Sequence, residues 1–272
     1  MPRLLSASEY FLEDSEKSED LKLLLAPGSS LGGARPKASV KDKDQTLAFA
    51  KFPRKNDEFN TVLWEAVALT LAKHAKINTP IWRIETILNK PVLIIKRFDR
   101  DRENRTPFLS AMSMLQAKDM EQHCYLEIAY SIAEYGAAPD KDMKELFRRI
   151  IFNILISNTD DHLRNHGFLY ERIKGWRLSP VYDLNPTPAE INAHNFSTSI
   201  DFNNNQPSLE TALSVIAEFR LSKKQAISII KEAAAAVAGW RKIAKKFKLN
   251  NKEIEHMSSA FEHDETKKAR DM

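Results

Sequence analysis

Glycine is scarce in this chain. Of 272 residues only 7 are glycine, where ordinary usage of roughly 7% would give about 19. Three of them, Gly28, Gly32 and Gly33, fall within one six-residue stretch. Cysteine is scarcer still. The lone Cys124 excludes an internal disulfide framework and any all-cysteine zinc site. Long apolar runs are missing too, and nothing reaches the ~18 residues that span a bilayer. The best candidate, Ile150 to Ile156, is short and interrupted by Asn153. The N-terminal stretch MPRLLSASEYFLEDSEKSED lacks the apolar core of a signal peptide and turns acidic by Glu13. A cytoplasmic location with no membrane contact is the expectation.

A charge excess of one sign is also lacking. Lys and Arg total 41 against 37 Asp and Glu, for a net +4. The basic residues are uneven, however. Lys223, Lys224, Lys231, Arg241, Lys242, Lys245, Lys246 and Lys248 are opposed locally by Glu232 alone. A solvated helix face is the plain reading, and a surface for nucleic acid or an acidic partner is the sharper one. At 43% hydrophobic and 29% charged residues, the chain is too apolar for wholesale disorder and long enough for a sizeable core.

The hydrophobic pattern divides the chain. Leu21 to Ala26 is a candidate strand running into the turn signal Pro27-Gly28. Ala38 to Val40 and Thr46 to Phe52 read as strands, with Leu47, Phe49 and Lys51 alternating against Ala48, Ala50 and Phe52. Asp57 to Ala75 has helical spacing with acids in its first turn. Thr79 to Leu88 and Val92 to Phe98 flank Asn89-Lys90 as a hairpin. After the polar stretch Asp99 to Thr106 the character changes. Helices are expected over about Tyr125 to Tyr135, Met143 to Ile156, Leu209 to Phe219, Lys223 to Phe247 and Lys252 to Glu262. One short hairpin, Gly167 to Leu178, interrupts them. The expected class is α+β, with a β-rich lobe over 1–98 and a mostly helical lobe over 99–272.

The chemistry concentrates after the apolar helix bearing Ile150, Ile151, Ile154 and Leu155. There the sequence runs SNTDDHLRNHGFLY and then WRLSPVYDLNP. Asp160 and Asn165 are five apart, and Asp183 lies eighteen further on, beside Tyr182. This is the grammar of phosphoryl transfer in protein kinases: an Asp that accepts the substrate proton, an Asn on a metal ion, and a later Asp on Mg²⁺. Hard oxygen ligands suit Mg²⁺. Upstream, Lys51 ends a strand where a phosphate-neutralising lysine belongs. Glu65 sits mid-helix, where it could hold that lysine. Lys96, Arg97 and Phe98 follow an apolar strand as a hinge would. The glycine stretch SSLGGARPKA comes first, with Arg35 and Lys37 adding positive charge.

Each element alone has a plainer reading. Gly-Gly in a loop is ordinarily a turn, Glu65 a solvated charge, and Asp183 a turn cap. Asp160, Asp161 and His162 could be a helix-end cluster or ligands of a metal hydrolase. The order of the elements is what raises the odds. GGARPK is neither G-x-G-x-x-G nor a Walker A loop, and neither D-F-G nor H-R-D is present, so an ordinary eukaryotic-type kinase is disfavoured. Asp161 is the rival base, and Asp161→Asn is the control expected to keep activity.

Taken together, SSLGGARPKA, the AKF strand end, IIKRFDRD, NTDDHLRNHGFLY and SPVYDLNP resemble the HipA family of bacterial toxin serine/threonine kinases, from about Gly28 to Pro186. The resemblance implies a two-lobed protein-kinase-like fold using ATP and Mg²⁺. It implies Asp160 as proton acceptor, Asn165 and Asp183 as Mg²⁺ ligands, and Lys51, held by Glu65, as the phosphate-binding lysine. Gly32, Gly33, Ala34, Arg35, Pro36 and Lys37 would cover the nucleotide. Lys96, Arg97 and Phe98 would supply hinge contacts and Asp99 would lie near the ribose, with His162 and Tyr182 also at the nucleotide site. Autophosphorylation would fall on Ser30 or its neighbour Ser29 and switch the kinase off.

The implied targets are aminoacyl-tRNA synthetases. Reaching the glycine stretch by Gly28 resembles the shortened HipT-type branch, in which a small HipS-like protein stands for a missing N-terminal subdomain and acts as antitoxin. A HipB-like DNA-binding protein would complete the system, with DNA contacted indirectly or through the basic C-terminal helix. The rival readings are a catalytically silent scaffold in an antitoxin–operator complex and a small-molecule kinase.

Overall fold

The computed structural model describes residue 6 and residues 36–54, 57–101, 104–191, 195–203 and 205–272. The expected strand Leu21 to Ala26, the loop residues from Gly28 to Arg35, and with them Ser29 and Ser30, lie outside the described residues. The chain forms two compact units. The described residues up to Ala66, with Pro80–Arg105, make the first, and Val67–Thr79 with Thr106–Met272 make the second.

The first unit is built on a four-stranded antiparallel sheet. Its strands are β1 (Lys37–Lys41), β2 (Leu47–Lys51), β3 (Trp82–Ile87) and β4 (Lys90–Lys96), in the order β1-β2-β4-β3. Helix α1 (Thr61–His74) follows β2 and begins in this unit. Period-two alternation decides which face each side chain takes. Ala38, Val40, Ala48, Ala50, Phe52, Ile87, Val92 and Ile94 form one buried cluster. Phe49 and Lys51 therefore fall on the opposite face of β2. The small strands β5 (Arg100–Asp101) and β6 (Asn104–Arg105) close the unit.

The second unit is mostly helical. Strand β7 (Phe108–Ser110) leads into the single turn α2 (Ala111–Met114), which Ser110 caps by accepting from the Ser113 amide. Strand β8 (His123–Cys124) precedes α3 (Tyr125–Tyr135) and α4 (Pro139–Leu155). Pro139 opens α4 at a position that needs no amide donor. Phe147, Ile150, Ile151, Ile154 and Leu155 are buried along it, each contributing about 1.5–3 kcal/mol of burial free energy. Strands β9 (Gly167–Tyr170) and β10 (Trp176–Leu178) form the expected hairpin, and β7 pairs with β9 to complete a three-stranded sheet. Gly175 turns the hairpin at φ 106, a conformation open to glycine at little cost. Strand β11 (Thr198–Ser199) runs parallel to β8.

Helices α5 (Leu209–Ser214), α6 (Lys223–Val237), α7 (Trp240–Lys246), α8 (Asn251–His256) and α9 (Asp264–Asp271) follow. Three expected helices are shorter than their hydrophobic pattern. Leu209 to Phe219 becomes α5 and a 3-10 turn, Lys223 to Phe247 breaks at Ala238–Gly239, and Lys252 to Glu262 becomes α8 and a 3-10 turn. Trp240 follows that break and stacks on Phe261 at 4.6 Å between ring centroids. Among the described residues, no helix is long and apolar enough to cross a membrane.

Candidate active site

In the first unit, Lys51 ends β2 on the face away from the apolar cluster. Its Nζ donates to both oxygens of Glu65 on α1, at 2.7 and 2.9 Å. Glu65 is buried at 3% exposure, so its charge is tolerable because the ammonium matches it. The sequence-expected lysine and glutamate are thus joined. The described end of the glycine stretch returns beside them. Lys37 registers opposite Lys51, and the Pro36 carbonyl accepts from the Phe52 amide at 3.0 Å.

The expected hinge segment is more heavily bonded than its sequence suggests. The Lys96 amide donates to Ile81 O at 2.8 Å and the Arg97 amide to Leu47 O at 3.0 Å. Arg97 lies over the Phe49 ring, 5.0 Å from its centroid, and grips Asp99 through two bonds of 2.8 and 2.6 Å. Arg100 adds a third at 2.9 Å. Burial works to raise the Asp99 pKa, but the two arginines outweigh it and hold the carboxyl below its usual range. Phe98 is half-buried.

In the second unit, α4 ends at Leu155 and releases the polar loop 157–162. Ser157 takes the left-handed conformation at φ 51, which turns the chain sharply. Asn158 then ties the loop down. Its Nδ2 donates to Asn153 Oδ1 at 3.0 Å, and its Oδ1 accepts from the Asn185 amide at 3.2 Å. The Ser197 amide donates to Thr159 O at 2.9 Å. Loop 157–162, the Asp183 segment and the chain entering β11 are therefore bound to one another.

Asp160 and Asp161 leave this loop into different surroundings. Asp160 is exposed, yet the protein around it desolvates the carboxyl enough to raise its pKa. The negative charges of Asp183 and Asp161 push the same way, while His162 and a Ser197 hydrogen bond oppose them. Asp161 is 4% exposed and fully engaged. Its Oδ2 accepts from Tyr125 at 2.5 Å, from Asn153 Nδ2 at 2.7 Å, and lies 2.9 Å from His166 Nε2. Burial alone would raise its pKa, but the charge and hydrogen bond of His166, the Tyr125 bond and the charge of Arg149 bring it below the usual range. The sequence left the two acids as rivals, and the structure separates them.

Asn165 closes a 3-10 turn and donates its Nδ2 to the Asp160 carbonyl at 3.2 Å. That leaves its amide oxygen as the atom suited to a cation. Asp183 holds φ at 60, a region that Asp tolerates better than most residues, and its Oδ1 accepts from Asn185 Nδ2 at 3.2 Å. Tyr182 donates its hydroxyl to Arg164 O at 2.7 Å. Among the described residues, no group of three or more His, Cys, Asp and Glu could hold a metal alone. An amide oxygen with one or two carboxylates is nonetheless the sparse hard-oxygen set that Mg²⁺ accepts when phosphates and water complete its shell. The donor chemistry fits that ion, and Asn165 and Asp183 are the residues that could hold it, with Asp160 bonded to Asn165 through its carbonyl.

Sequence reasoning missed the supporting shell. Tyr125, Asn153 and His166 were not flagged, nor were Asn158, Asn185 and Ser197. A buried Asn in the apolar run Ile150–Ile156 was the available signal, since a polar side chain there needs partners.

The fold is of the protein-kinase-like class. Two solved structures share it at 16% identity, each covering 90% of this chain. HipA of Shewanella oneidensis MR-1, solved in the complex of a toxin–antitoxin system with HipB and operator DNA, superposes with a TM-score of 0.68 over 64% of its own chain. The proinflammatory kinase CtkA of Helicobacter pylori gives 0.65 over 94% of its chain. The HipA-like C-terminal domain model matches residues 29–240, and the chain belongs to that family. A Haemophilus influenzae protein whose name proposes it as a kinase is 33% identical over 113 residues, 37% of this chain and 33% of its own length. Y4mE of Sinorhizobium fredii, named the same way, is 26% identical over 140 residues, 46% of this chain and 32% of its own. The chain thus spans about a third of the length of these curated relatives.

Proposed function

We propose that this protein is an ATP-dependent protein serine/threonine kinase of the HipA type, moving the γ-phosphate of ATP to a serine hydroxyl. The observation that carries the reading is the exposed Asp160, its pKa raised, bonded through its carbonyl to Asn165 and within electrostatic reach of Asp183. Family membership and the Lys51–Glu65 pair support it.

The residues divide the work. Asp160 orients the serine hydroxyl and accepts its proton, and a raised pKa brings a carboxylate nearer the working pH. Lys51, fixed by Glu65, presents a preorganised positive charge to phosphate. Asn165 and Asp183 are the residues that would hold Mg²⁺, which would offset the charge of the nucleotide phosphates. Pro36 and Lys37 carry the end of the nucleotide loop beside Lys51. Asp99, clamped by Arg97, holds the hinge segment in shape.

The biological role we assign is that of a toxin whose activity a HipB-like antitoxin restrains. Family membership supports this, together with the HipB–operator complex of the Shewanella protein. An aminoacyl-tRNA synthetase as target, the HipT-type branch and a HipS-like partner rest on the sequence resemblance. Phosphate on Ser30 or Ser29 adds roughly −1.5 to −2 charge, which would compete with nucleotide phosphate for the loop and shut the kinase off.

Incubating the purified chain with radiolabelled ATP and Mg²⁺ tests the reading. Label should enter protein, mass spectrometry should place phosphate on Ser29 or Ser30, and Asp160→Asn should lower both by about 10²–10⁴-fold. Full activity in Asp160→Asn would overturn the assignment.

A second reading, a scaffold that meets operator DNA, has one observation in its favour. Among the eight basic residues between Lys223 and Lys248, only Arg241 has an ion pair among the described residues, with Glu255 and Glu262. Glu232 is turned to Lys76 and Arg148. A gel shift with operator DNA beside the transfer assay separates the two readings.

A further inference from the structure

Away from the residues assigned to phosphoryl transfer, the second unit contains a half-open cavity of about 500 Å³. Small-ligand sites run to about 300–1,000 Å³. The cavity lies where the first turns of α4 meet the segment Lys76–Asn78 and β10, with the buried Ile77 and Leu178 on its wall.

Its charge is one-sided. Lys76, Lys141, Lys144, Arg148 and Arg177 line it against two carboxylates, Asp142 and Glu145. Both carboxylates are already committed. Asp142 accepts from Arg177 at 2.8 and 3.0 Å and from the Leu178 amide at 3.0 Å. Glu145 accepts from Arg149 at 3.1 Å and from the Asn78 amide at 3.0 Å. Glu232 offers a single charge to two cations, Lys76 at 2.9 Å and Arg148 at 2.7 Å. Asp140 is drawn off by Arg220 at 2.8 Å. Lys141 and Lys144 have no ion pair among the described residues.

The surplus is thus the two lysine charges plus the remainder of the Lys76–Arg148 pair, less what the exposed Glu171 offsets from 3.8 Å away at Arg177. We infer that this cavity binds a small phosphate-bearing molecule, free polyphosphate or nucleotide, at a site separate from the phosphoryl-transfer residues. A single carboxylate would leave most of the surplus unmatched, whereas a multiply charged phosphate meets it. The arginines contribute without side-chain ordering, because Asp142 and Glu232 already hold them.

Calorimetry with the full chain tests this, using inorganic tripolyphosphate and guanosine monophosphate as probes at low salt. Lys141 and Lys144 are exposed, so Lys141→Ala/Lys144→Ala should fold normally, as an unchanged melting midpoint will show. Only binding that the double variant loses is counted. Tripolyphosphate should bind at one site per chain, weakened about tenfold or more in the double variant, and added salt should weaken the wild-type interaction. Tighter lysine-dependent binding of the nucleotide than of tripolyphosphate assigns the site to a nucleotide. The reverse assigns it to free polyphosphate. Equal affinity of wild type and double variant for both probes, or no binding of either, overturns the inference. Asp160→Asn, at a residue outside the cavity lining, should leave the lysine-dependent binding intact, which separates this outcome from any failure of the kinase reading.

Discussion

Asp160 and Asp161 are consecutive residues whose carboxyls shift in opposite directions, the first up and the second down. One peptide bond separates an exposed acid among other negative charges from a buried acid that Tyr125, Asn153 and His166 surround. Environment, not residue type, sends the two shifts in opposite directions.

The Asp160 shift predicts a trade between activity and stability. Asp160→Asn should lower phosphotransfer by about 10²–10⁴-fold, the usual reach of a general base. The same change should raise the melting midpoint at neutral pH. A carboxyl whose folded pKa exceeds its unfolded value loses stability as pH rises through that folded value, and Asn has no such charge. The gain should vanish in acid, where both states are protonated. Differential scanning fluorimetry from pH 4 to 8, beside the transfer assay, checks both halves. An unchanged or lower midpoint at neutral pH would falsify this electrostatic account of Asp160.

Asp161→Asn, expected from sequence to keep activity, should destabilise the fold. It removes a buried charge that matches His166 and Arg149, a class of loss worth about 3–5 kcal/mol. The sign with pH is opposite to that of Asp160. A depressed folded pKa contributes stability above the unfolded value of about 3.9, lost as pH falls through the folded pKa. The variant should therefore melt well below wild type at pH 7 and approach it in acid. Urea titrations in steps from pH 7 down to the most acidic pH at which the protein stays folded measure the difference. Equal midpoints at pH 7 would remove Asp161 from the stabilising network.

Much of this arrangement was legible because it follows local patterns. The alternation in β2 placed Lys51 opposite the apolar cluster, and α3 begins and ends at the expected Tyr125 and Tyr135. Asp160 and Asn165, five apart in sequence, are joined by a hydrogen bond, and the Asn185 amide ties the segment after Asp183 to Asn158 in the same loop. What was illegible depends on contacts between residues remote in sequence. Tyr125 reaches Asp161 across thirty-six positions, and nothing near Tyr125 marks it as a donor. Strand β7 is only three residues long and exists because β9 pairs with it. Helix α9 reads as a charged tail, since only Thr266 and Ala269 face inward. Long apolar periodicity also overstated helix length, because a 3-10 turn or a break at Gly239 preserves the same spacing.

The Lys51–Glu65 pair predicts a dissociation of stability from activity. Lys51→Met removes the ammonium that both oxygens of the buried Glu65 carboxylate bond and should cost about 3–5 kcal/mol. Adding Glu65→Leu removes the buried carboxylate and should recover much of that stability. Activity should not return, because no ammonium is left to meet phosphate. A double-mutant cycle by chemical denaturation, with phosphotransfer measured on each variant, reads both effects. Recovery of transfer in the double variant would show that Lys51 serves only the fold.

Gly167 marks the point where the sheet and the site share a constraint. It follows Asn165 by two positions and pairs with Ser110 across β7 and β9. A Cβ at this position would run into the Phe108 ring, and would stand 2.8 Å from Ser179 Oγ. Gly167→Ala should therefore cost about 1–3 kcal/mol of overpacking. Because Asn165 is bonded to the Asp160 carbonyl only two residues away, the strain should also lower phosphotransfer. Phe108 is partly exposed at 40%, so Phe108→Ala should relieve the ring's share of the clash and leave only the Ser179 Oγ contact to adjust. The pair Gly167→Ala/Phe108→Ala should then melt higher than the sum of the single losses allows. Strictly additive losses would mean that the ring and the glycine do not meet, and that this close approach does not set the position of Asn165.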